Sequence, residues 1–289
     1  MAEKQFTQTV EKPIAGLEIR LKCVDDSLFA NEYLIRSWIN TVFKDSVTAS
    51  VAYKDKDGNE TNPFSSFNLD ALLEHAQAGE GYIPIIFDGS DYYLQAFLPL
   101  TSNGGAIQFS NDETMTIDFK YDDTIFETLT TETIESPVAS PTWTKFERFA
   151  VRQDDLEKDL TINGAESIMI PIESLFTKTQ ITLCYSNGQN VKLTKPKIQA
   201  LGRKINDACY NVNGQVVGGF GRYAIIDVRR VERVEIRRDT TAPFQIIVQS
   251  QEPVANLGQV QAKNMMLVDT STPFLDAKLM GVGNVVSKR

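Results

Sequence analysis

The sequence predicts an all-β protein with a few short helices, arranged as two β-rich domains in tandem. A pattern of strand, Gly-containing turn, short helix and apolar strand begins near residue 50 and returns near residue 185. A stretch rich in Thr, Ser, Glu and Pro separates the two copies. The length of 289 residues also matches two domains of roughly 100 to 200 residues each.

The first element of each copy is a strand that ends in a tight turn. Small or apolar side chains alternate with polar ones over residues 47–53 and again over residues 179–185. Alternation with a period of two is typical of a half-buried strand. The turns that follow, Asp-Gly-Asn at 57–59 and Asn-Gly-Gln at 187–189, contain a glycine that can adopt the positive φ of a hairpin turn.

The later elements of the two copies follow in the same order. A short helical segment comes next, then an apolar strand, then a closing strand. The matched segments are 68–74 with 196–205, 82–87 with 223–228, and 115–121 with 244–249. Agreement of four elements in order favours duplication over chance. Because the copies lie more than about 100 residues apart, they are domains and not solenoid repeats.

The domain boundaries follow from the repeat and from the stretch between its copies. That stretch shows no hydrophobic period, which is typical of a connector. The predicted segments are an N-terminal arm 1–14, a first domain 15–126, a linker 127–141, a second domain 142–251 and a C-terminal arm 252–289.

The charge balance limits the classes of partner. With 38 acidic and 29 basic residues the chain is net negative, which argues against nucleic-acid binding and against adhesion to anionic lipid through overall charge. No apolar run approaches the roughly 20 residues needed to span a bilayer, and the N-terminus lacks the features of a signal peptide. We therefore expect a soluble protein, made in a cytoplasm, whose partners are proteins.

The residues that usually carry enzyme chemistry are few. Cys23, Cys184 and Cys209 are odd in number and isolated in strand-like surroundings, which predicts small buried hydrophobes in a reducing compartment. His75 is the only histidine, which excludes the HExxH zinc motif, and it is expected on a polar helix beside Glu74. We expect no catalytic residues and no enzyme activity.

One turn resembles the start of a calcium loop. Asp55, Asp57 and Asn59 place oxygen ligands at alternate positions. An EF-hand would need Gly at the sixth position and Glu at the twelfth, where Glu60 and Ser66 stand. A hairpin turn is the favoured interpretation, and a weak surface calcium site is the alternative. No other metal and no cofactor is predicted.

Two further motifs have structural interpretations. The glycine cluster 214–221 lacks the Lys-Ser/Thr of a P-loop and precedes a strand, so it predicts a loop or a tight turn. The basic run 229–238 mixes both signs of charge with apolar residues. It predicts a solvated or subunit-facing segment with ion pairs and not a nucleic-acid groove.

These features together resemble a known family. Two tandem β barrels of jelly-roll size, helices inserted among strands, an acidic chain and a linker leading into residues 140–149 (SPTWTKFERF) resemble the double jelly-roll major capsid proteins of tailless icosahedral phages with an internal membrane. This is the adenovirus-hexon-type lineage, and the similarity is to its corticovirus-like members and to the lipid-containing phages of flavobacteria. The resemblance covers roughly residues 15 to 250 and is one of architecture, without a diagnostic motif.

The resemblance implies a structural role in a virion. It implies two eight-stranded jelly rolls side by side, three chains in a pseudo-hexagonal homotrimer, and trimers that tile an icosahedral shell around a membrane. The implied partners are copies of the chain, other capsid and vertex proteins, and the viral membrane or its proteins, with no direct nucleic-acid binding. Assembly would take place in the cytoplasm of a bacterial host. Terminal arms would contact neighbours, although a tail packed along its own barrel is an equal alternative.

Two other classes of function stay open at the level of sequence. One is a minor capsid, vertex or spike protein of a similar virus. The other is a carbohydrate-binding or glycan-cleaving β-sandwich protein, in which Asp118 and Asp227 would have to converge in a cleft.

Overall fold

Strands make up most of the structure. The computed structural model describes residues 3–25, 29, 34, 38–76, 85–101, 104–110, 112–172, 174, 179–194, 197, 223–238 and 242–254. The strands are β1 (Glu3–Val10), β2 (Gly16–Cys23), β3 (Val47–Lys54), β4 (Glu60–Asn68), β5 (Ile85–Asp88), β6 (Asp91–Pro99), β7 (Thr114–Asp122), β8 (Phe126–Ile134), β9 (Thr142–Val151), β10 (Glu157–Thr161), β11 (Ala165–Pro171), β12 (Gln180–Tyr185), β13 (Asn190–Lys192), β14 (Tyr223–Asp227), β15 (Val231–Arg237) and β16 (Phe244–Pro253).

Two helical elements interrupt the first group of strands. A π-helical segment spans Ile39–Phe43, and α1 spans Leu69–Ala76. No helix within the described residues is long and apolar enough to cross a membrane.

The strands form four antiparallel sheets, two in each half of the chain. The first half contains sheets with the orders β1-β7-β3-β4 and β5-β6-β2-β8. The second half contains sheets with the orders β10-β15-β12-β13 and β14-β11-β16-β9. Two packed four-stranded antiparallel sheets are the jelly-roll arrangement. The predicted fold class, two tandem eight-stranded jelly rolls, is confirmed.

The two barrels share their strand pairing, which supports a duplication. Five pairs of the first barrel have a counterpart in the second: β1·β7 and β10·β15, β3·β7 and β12·β15, β3·β4 and β12·β13, β2·β6 and β11·β14, and β2·β8 and β11·β16. They differ in the fourth strand of one sheet. The second barrel pairs β9 with β16, whereas the first barrel has β5 at the opposite edge.

Part of the predicted strand matching is wrong. The match of 47–53 with 179–185 holds, because these are β3 and β12. Residues 223–227, however, form β14, whose counterpart is β6 and not β5. Residues 244–249 belong to β16, whose counterpart is β8 and not β7. Alternating side chains identify a strand but not the neighbour to which it hydrogen-bonds. The segments 196–205 and 214–221 lie outside the described residues except for Lys197.

The two predicted hairpin turns are present at equivalent places. Gly58 has a φ of 84° and Gly188 has a φ of 80°, in the left-handed region that favours glycine. Gly58 N donates to Asp55 O at 3.0 Å, and Gly188 N donates to Tyr185 O at 2.9 Å. The turns therefore join β3 to β4 and β12 to β13 in the same way.

Two predicted boundaries need correction. The expected arm 1–14 contains β1, which pairs along its length with β7. The expected linker 127–141 contains most of β8, which pairs with β2 as far as Ile134. Neither strand shows a clear apolar period because each is an edge strand with mostly exposed or half-buried side chains. The connector between the barrels is residues 135–141.

The two barrels fill their interiors with different side chains. The first barrel has an aromatic cluster in which the Trp38 ring stacks on Phe43 at 6.1 Å and meets Phe126 edge-on at 5.9 Å between ring centroids. The second barrel is mainly aliphatic, with fully buried residues such as Ile168 and Val234. Each barrel thus has its own core.

The described cysteines match the prediction of buried hydrophobes. Cys23 and Cys184 are both buried free thiols. Burial raises the pKa of Cys23 to about 12 and also raises the pKa of Cys184. A thiol with a raised pKa is a poor nucleophile at neutral pH. Cys209 lies outside the described residues.

We expect Phe119→Ala to lower the free energy of unfolding by about 3–5 kcal/mol, because it leaves a cavity in the first barrel. Phe119 has no exposed surface. Urea denaturation followed by tryptophan fluorescence measures the change. Leu156→Ala is the control, since Leu156 is 52% exposed. Equal losses in the two variants would contradict the assigned core.

Candidate functional site

The two barrels are joined by a contact that continues the core of the first barrel. The second barrel presents the outer face of its sheet β14-β11-β16-β9. Met169, Ile225 and Ile247 on this face belong to the same buried cluster as the core of the first barrel. Ile168, which precedes Met169 in β11, lies in the second core instead, because successive side chains of a strand point to opposite faces. The barrels therefore share apolar packing.

Aromatic rings extend this contact along β9. The Phe146 ring lies 5.1 Å from the ring of His75, nearly perpendicular to it, and 6.0 Å from that of Phe67. Trp143 meets Tyr53 at 4.9 Å between ring centroids. Phe146 and Trp143 belong to the second barrel and the other three residues to the first. The strand β9 is thus anchored in the interface.

A hydrogen-bonded chain also crosses the interface. Gln249 Nε2 donates to Glu166 Oε2 at 2.9 Å, so the Gln249 amide oxygen is left to accept from Ser167 Oγ at 3.0 Å. Because the Ser167 hydroxyl proton is used in this way, its oxygen accepts from His75 Nε2 at 2.9 Å. His75 is therefore a donor to Ser167. A base that activates a serine has to accept its proton, so this contact has the wrong direction for nucleophilic catalysis.

A cavity of about 370 Å³ lies beside this chain of hydrogen bonds. Its lining combines apolar residues such as Leu72 and Phe146 with His75, Glu166 and Gln249. The size is at the lower end of small-molecule pockets. The imidazole of His75 bonds across the interface to Ser167, whereas the carboxylate of Glu166 accepts hydrogen bonds from Gln249 and Gln251 within the second barrel.

The helix α1 differs from the prediction of a polar helix. Six of its residues, Leu69 to Glu74, are buried. Glu74 Oε1 accepts a hydrogen bond from Tyr223 N of the second barrel at 2.8 Å. In an isolated helix, Asp70 and Glu74 would indicate a face exposed to solvent. The second barrel covers that face, and the sequence of the helix cannot show this.

The calcium candidates Asp55, Asp57 and Asn59 lie in the turn between β3 and β4. Asp55 Oδ1 accepts the backbone N–H groups of Asp57 at 2.9 Å and Asn59 at 2.8 Å, and Oδ2 accepts Asn59 Nδ2 at 2.9 Å. The Asn59 side chain, followed by the backbone donors, lowers the pKa of Asp55. These contacts match the hairpin interpretation. The described residues contain no group of three or more His, Cys, Asp or Glu that could hold a metal. Calcium binding stays a prediction.

The carboxylates of the glycan-cleaving alternative each have their own partner. Asp118 on β7 accepts a hydrogen bond from Thr7 Oγ1 at 2.5 Å. Asp227 on β14 pairs with Arg229, whose Nε lies 3.0 Å from both carboxylate oxygens. The strands β7 and β14 belong to different barrels and are not equivalent. The basis for pairing these two residues is therefore lost.

The basic run 229–238 is mostly the strand β15. Its apolar residues are buried, while Arg233 lies 3.7 Å from Asp159 and 2.6 Å from Glu235, and Arg237 lies 3.8 Å from Glu157. These exposed ion pairs lie between β15 and the edge strand β10 or along β15 itself. The predicted ion-paired segment is confirmed.

One face that sequence reasoning did not single out is the counterpart of the interface in the first barrel. It is the outer face of β5-β6-β2-β8, and we call it the β2 face. Its central outward residues are Glu18, Arg20, Lys22, Tyr93, Gln95 and Phe97. Equivalent positions in the second barrel hold Met169 and its apolar neighbours. A signal was available, because Arg and Lys alternate with Leu and Ile in β2.

The side chains of the β2 face are held in place by their neighbours. The Arg20 guanidinium lies 4.0 Å from the Tyr93 ring centroid and forms an ion pair with Asp88. The Phe97 ring covers Gly16, where a Cβ atom would collide with it. Phe97 nonetheless remains 40% exposed. The β2 face is thus an ordered, mixed polar and aromatic surface.

Similarity to known proteins is limited to solved structures. No protein-family model and no curated protein matches the sequence. The major capsid protein P2 of bacteriophage PM2 matches with a TM-score of 0.48 and 12% identity, over 89% of this chain and 93% of that chain. The PBCV-1 virus capsid matches with a TM-score of 0.39 and 6% identity, over 86% and 89%.

A bacterial enzyme matches with a lower TM-score. Oxalate decarboxylase of Bacillus subtilis, described with Mn(II) centres, matches with a TM-score of 0.25 and 7% identity, over 96% of this chain and 76% of that chain. The identities are low in all three matches. The fold assignment therefore rests on the strand order described above.

We expect Phe146→Ala to lower the free energy of unfolding by about 3–5 kcal/mol and to separate the unfolding of the two barrels, because Phe146 packs on both. Phe146 is 5% exposed. Urea unfolding measures the free energy, and scanning calorimetry of the same proteins shows whether the two barrels unfold in one transition or in two. Phe87→Ala is a matched control, since Phe87 is 59% exposed. A single transition with a loss below about 1 kcal/mol would contradict the shared packing.

We expect Asp55→Asn to destabilise the protein at pH 7 and to have little effect at pH 2. The folded pKa of Asp55 lies below its ordinary value of 3.8. Its carboxylate therefore stabilises the fold above the unfolded pKa, and this stabilisation is lost as pH falls through the folded pKa. Urea unfolding of the parent and the variant at both pH values measures the difference. A difference that does not change with pH would contradict the role of the charge.

Proposed function

We propose that this chain is a capsid protein, a structural subunit of a virion shell that assembles with copies of itself. The observation that carries the proposal is that two jelly rolls with matching strand pairing are fixed side by side by a buried interface. One chain thus presents two similar blocks in a constant orientation. The finer proposal is a major capsid protein that forms pseudo-hexagonal homotrimers around an internal membrane.

The contact inside the chain suggests how copies would associate. The first barrel uses α1 and β4 to cover the outer sheet face of the second barrel. The equivalent sheet face of the first barrel, the β2 face, is half-buried, with Phe97 exposed near its centre. A second chain could apply the corresponding side of its own second barrel to this face. A head-to-tail contact of this kind closes into a ring if its rotation allows, and three chains would give six barrels.

The proposed contact between chains would be more polar than the contact within a chain. Arg20 and Lys22 stand on the β2 face, whereas Met169, Ile225 and Ile247 fill the internal contact. An obligate interface between subunits is usually rich in apolar and aromatic side chains. The β2 face instead favours an interface with a charged rim around Phe97, which would weaken as ionic strength rises.

The remaining parts of the proposal rest on the family resemblance. They are contacts of trimers with other capsid and vertex proteins, contacts with the membrane or its proteins beneath the shell, and assembly in the cytoplasm of the host. Enzyme activity and nucleic-acid binding are not part of the proposed role. Calcium bridging through Asp55 and its neighbours is a separate, optional element.

Light scattering of the purified protein on dilution tests the proposal. We expect a stable species of about three times the 32.3 kDa chain mass. Arg20→Glu should shift this species to monomer, while Lys120→Glu, the same charge change on the exposed face of β7, should leave it unchanged. A monomeric parent would refute the trimer. If Arg20→Glu remains a trimer, the role of the β2 face is refuted but the trimer itself is not. Loss of the trimer on chelation would support calcium bridging.

A further inference from the structure

Two turns of the second barrel contain the same chemically reactive pair of residues. Asn163 precedes Gly164 in the turn between β10 and β11, and Asn187 precedes Gly188 in the turn between β12 and β13. Asparagine is one of the thermolabile residues. It reacts most readily before glycine, because glycine has no Cβ atom to shield the backbone nitrogen that attacks the asparagine side chain. The hydrogen bonds of the two turns, however, are different.

Both reacting groups of the Asn187 pair are held by hydrogen bonds. Gly188 N donates to Tyr185 O at 2.9 Å, so this N–H group cannot lose its proton unless the bond opens. Gln189 N donates to Asn187 Oδ1 at 3.0 Å, which keeps the side-chain amide in one orientation. Attack of Gly188 N on Asn187 Cγ therefore requires local opening of the turn.

The Asn163 pair lacks both restraints. Ala165 N donates to Ile162 O at 3.0 Å and closes a four-residue turn. Asn163 has a negative φ and Gly164 has a φ of 80°, as in a type II turn. Both residues are exposed, and the described part of the chain contains no acceptor for Gly164 N and no partner for the Asn163 amide. The nucleophilic nitrogen and the side-chain amide are thus both free to move together.

We propose that Asn163 is a site of spontaneous deamidation, whereas the fold protects Asn187 in the same dipeptide. Gly164 N loses its proton and forms a bond with Cγ of Asn163. The bond from Cγ to the side-chain nitrogen breaks, and this nitrogen takes up a proton and leaves as ammonia. Water then opens the succinimide ring at either of its two carbonyl groups, which gives aspartate or isoaspartate. Water is the co-reactant, and nothing is oxidised or reduced.

The product changes a corner of the second barrel. The turn leads from β10 in one sheet to β11 in the other, and Ile162 and Ala165 on its two sides are buried. Either product adds a negative charge, and isoaspartate also adds a methylene group to the main chain. The longer main chain would displace a buried neighbour or the bond from Ala165 N to Ile162 O. The proposal concerns the single folded chain and does not depend on capsid assembly.

Peptide mapping by mass spectrometry tests the proposal during warm incubation of the full chain at mildly alkaline pH. Trypsin places the two asparagines in different peptides, 159–178 and 179–192, so each is the control for the other. We expect Asn163 to be converted at least about tenfold faster than Asn187, because two hydrogen bonds must first open at Asn187. Equal rates, or faster conversion of Asn187, would overturn the proposal.

Incubation in urea separates the effect of the fold from that of the sequence. Neither turn is formed in the unfolded chain, so we expect the two peptides to be converted at similar rates there. A difference that persists in urea would show that the turns do not set the rates, and it would overturn the proposal. Asn103 and Asn213 also precede glycine but lie outside the described residues, and their conversion is followed in separate peptides.

Discussion

The burial of one sheet face of the second barrel against the first barrel is the contact on which the rest of the structure depends. Met169, Ile225 and Ile247 add a second apolar side to strands that would otherwise have a solvent-facing surface. Antiparallel sheets usually keep one face in water, so an apolar outer face requires a cover. The first barrel provides this cover through α1 and β4. The relative orientation of the barrels is therefore part of the fold.

The polar residues of the interface limit how the barrels can dock. Apolar side chains tolerate small rotations, whereas the bonds from His75 to Ser167 and from Tyr223 to Glu74 need particular distances and angles. A buried polar group left without its partner costs more free energy than its hydrogen bond contributes. Sliding of one barrel over the other would leave several such groups unpaired. Packing supplies the attraction, and these bonds select one arrangement.

Much of the fold could be predicted from the sequence, but its connections could not. The alternation at β3 and β12 and the glycines at 58 and 188 were sufficient to locate matching hairpins. The edge strands β1 and β8 were missed because their side chains are mostly exposed and show no apolar period. Strand neighbours depend on contacts distant in sequence, so β14 was matched to β5 when it corresponds to β6. The interface between the barrels could not be predicted for the same reason, because the sequence of α1 does not show that the second barrel covers its acidic face.

The opposite character of the two equivalent sheet faces has a consequence for the history of the chain. Duplication of a single barrel would begin with identical faces, and each would bind any copy of the complementary side equally well. Such a chain could not distinguish its own second barrel from that of a neighbour. In the proposed assembly, apolar residues on one copy and Arg20 with Lys22 on the other would remove this ambiguity. Divergence of the two faces would thus let each barrel bind a different partner surface.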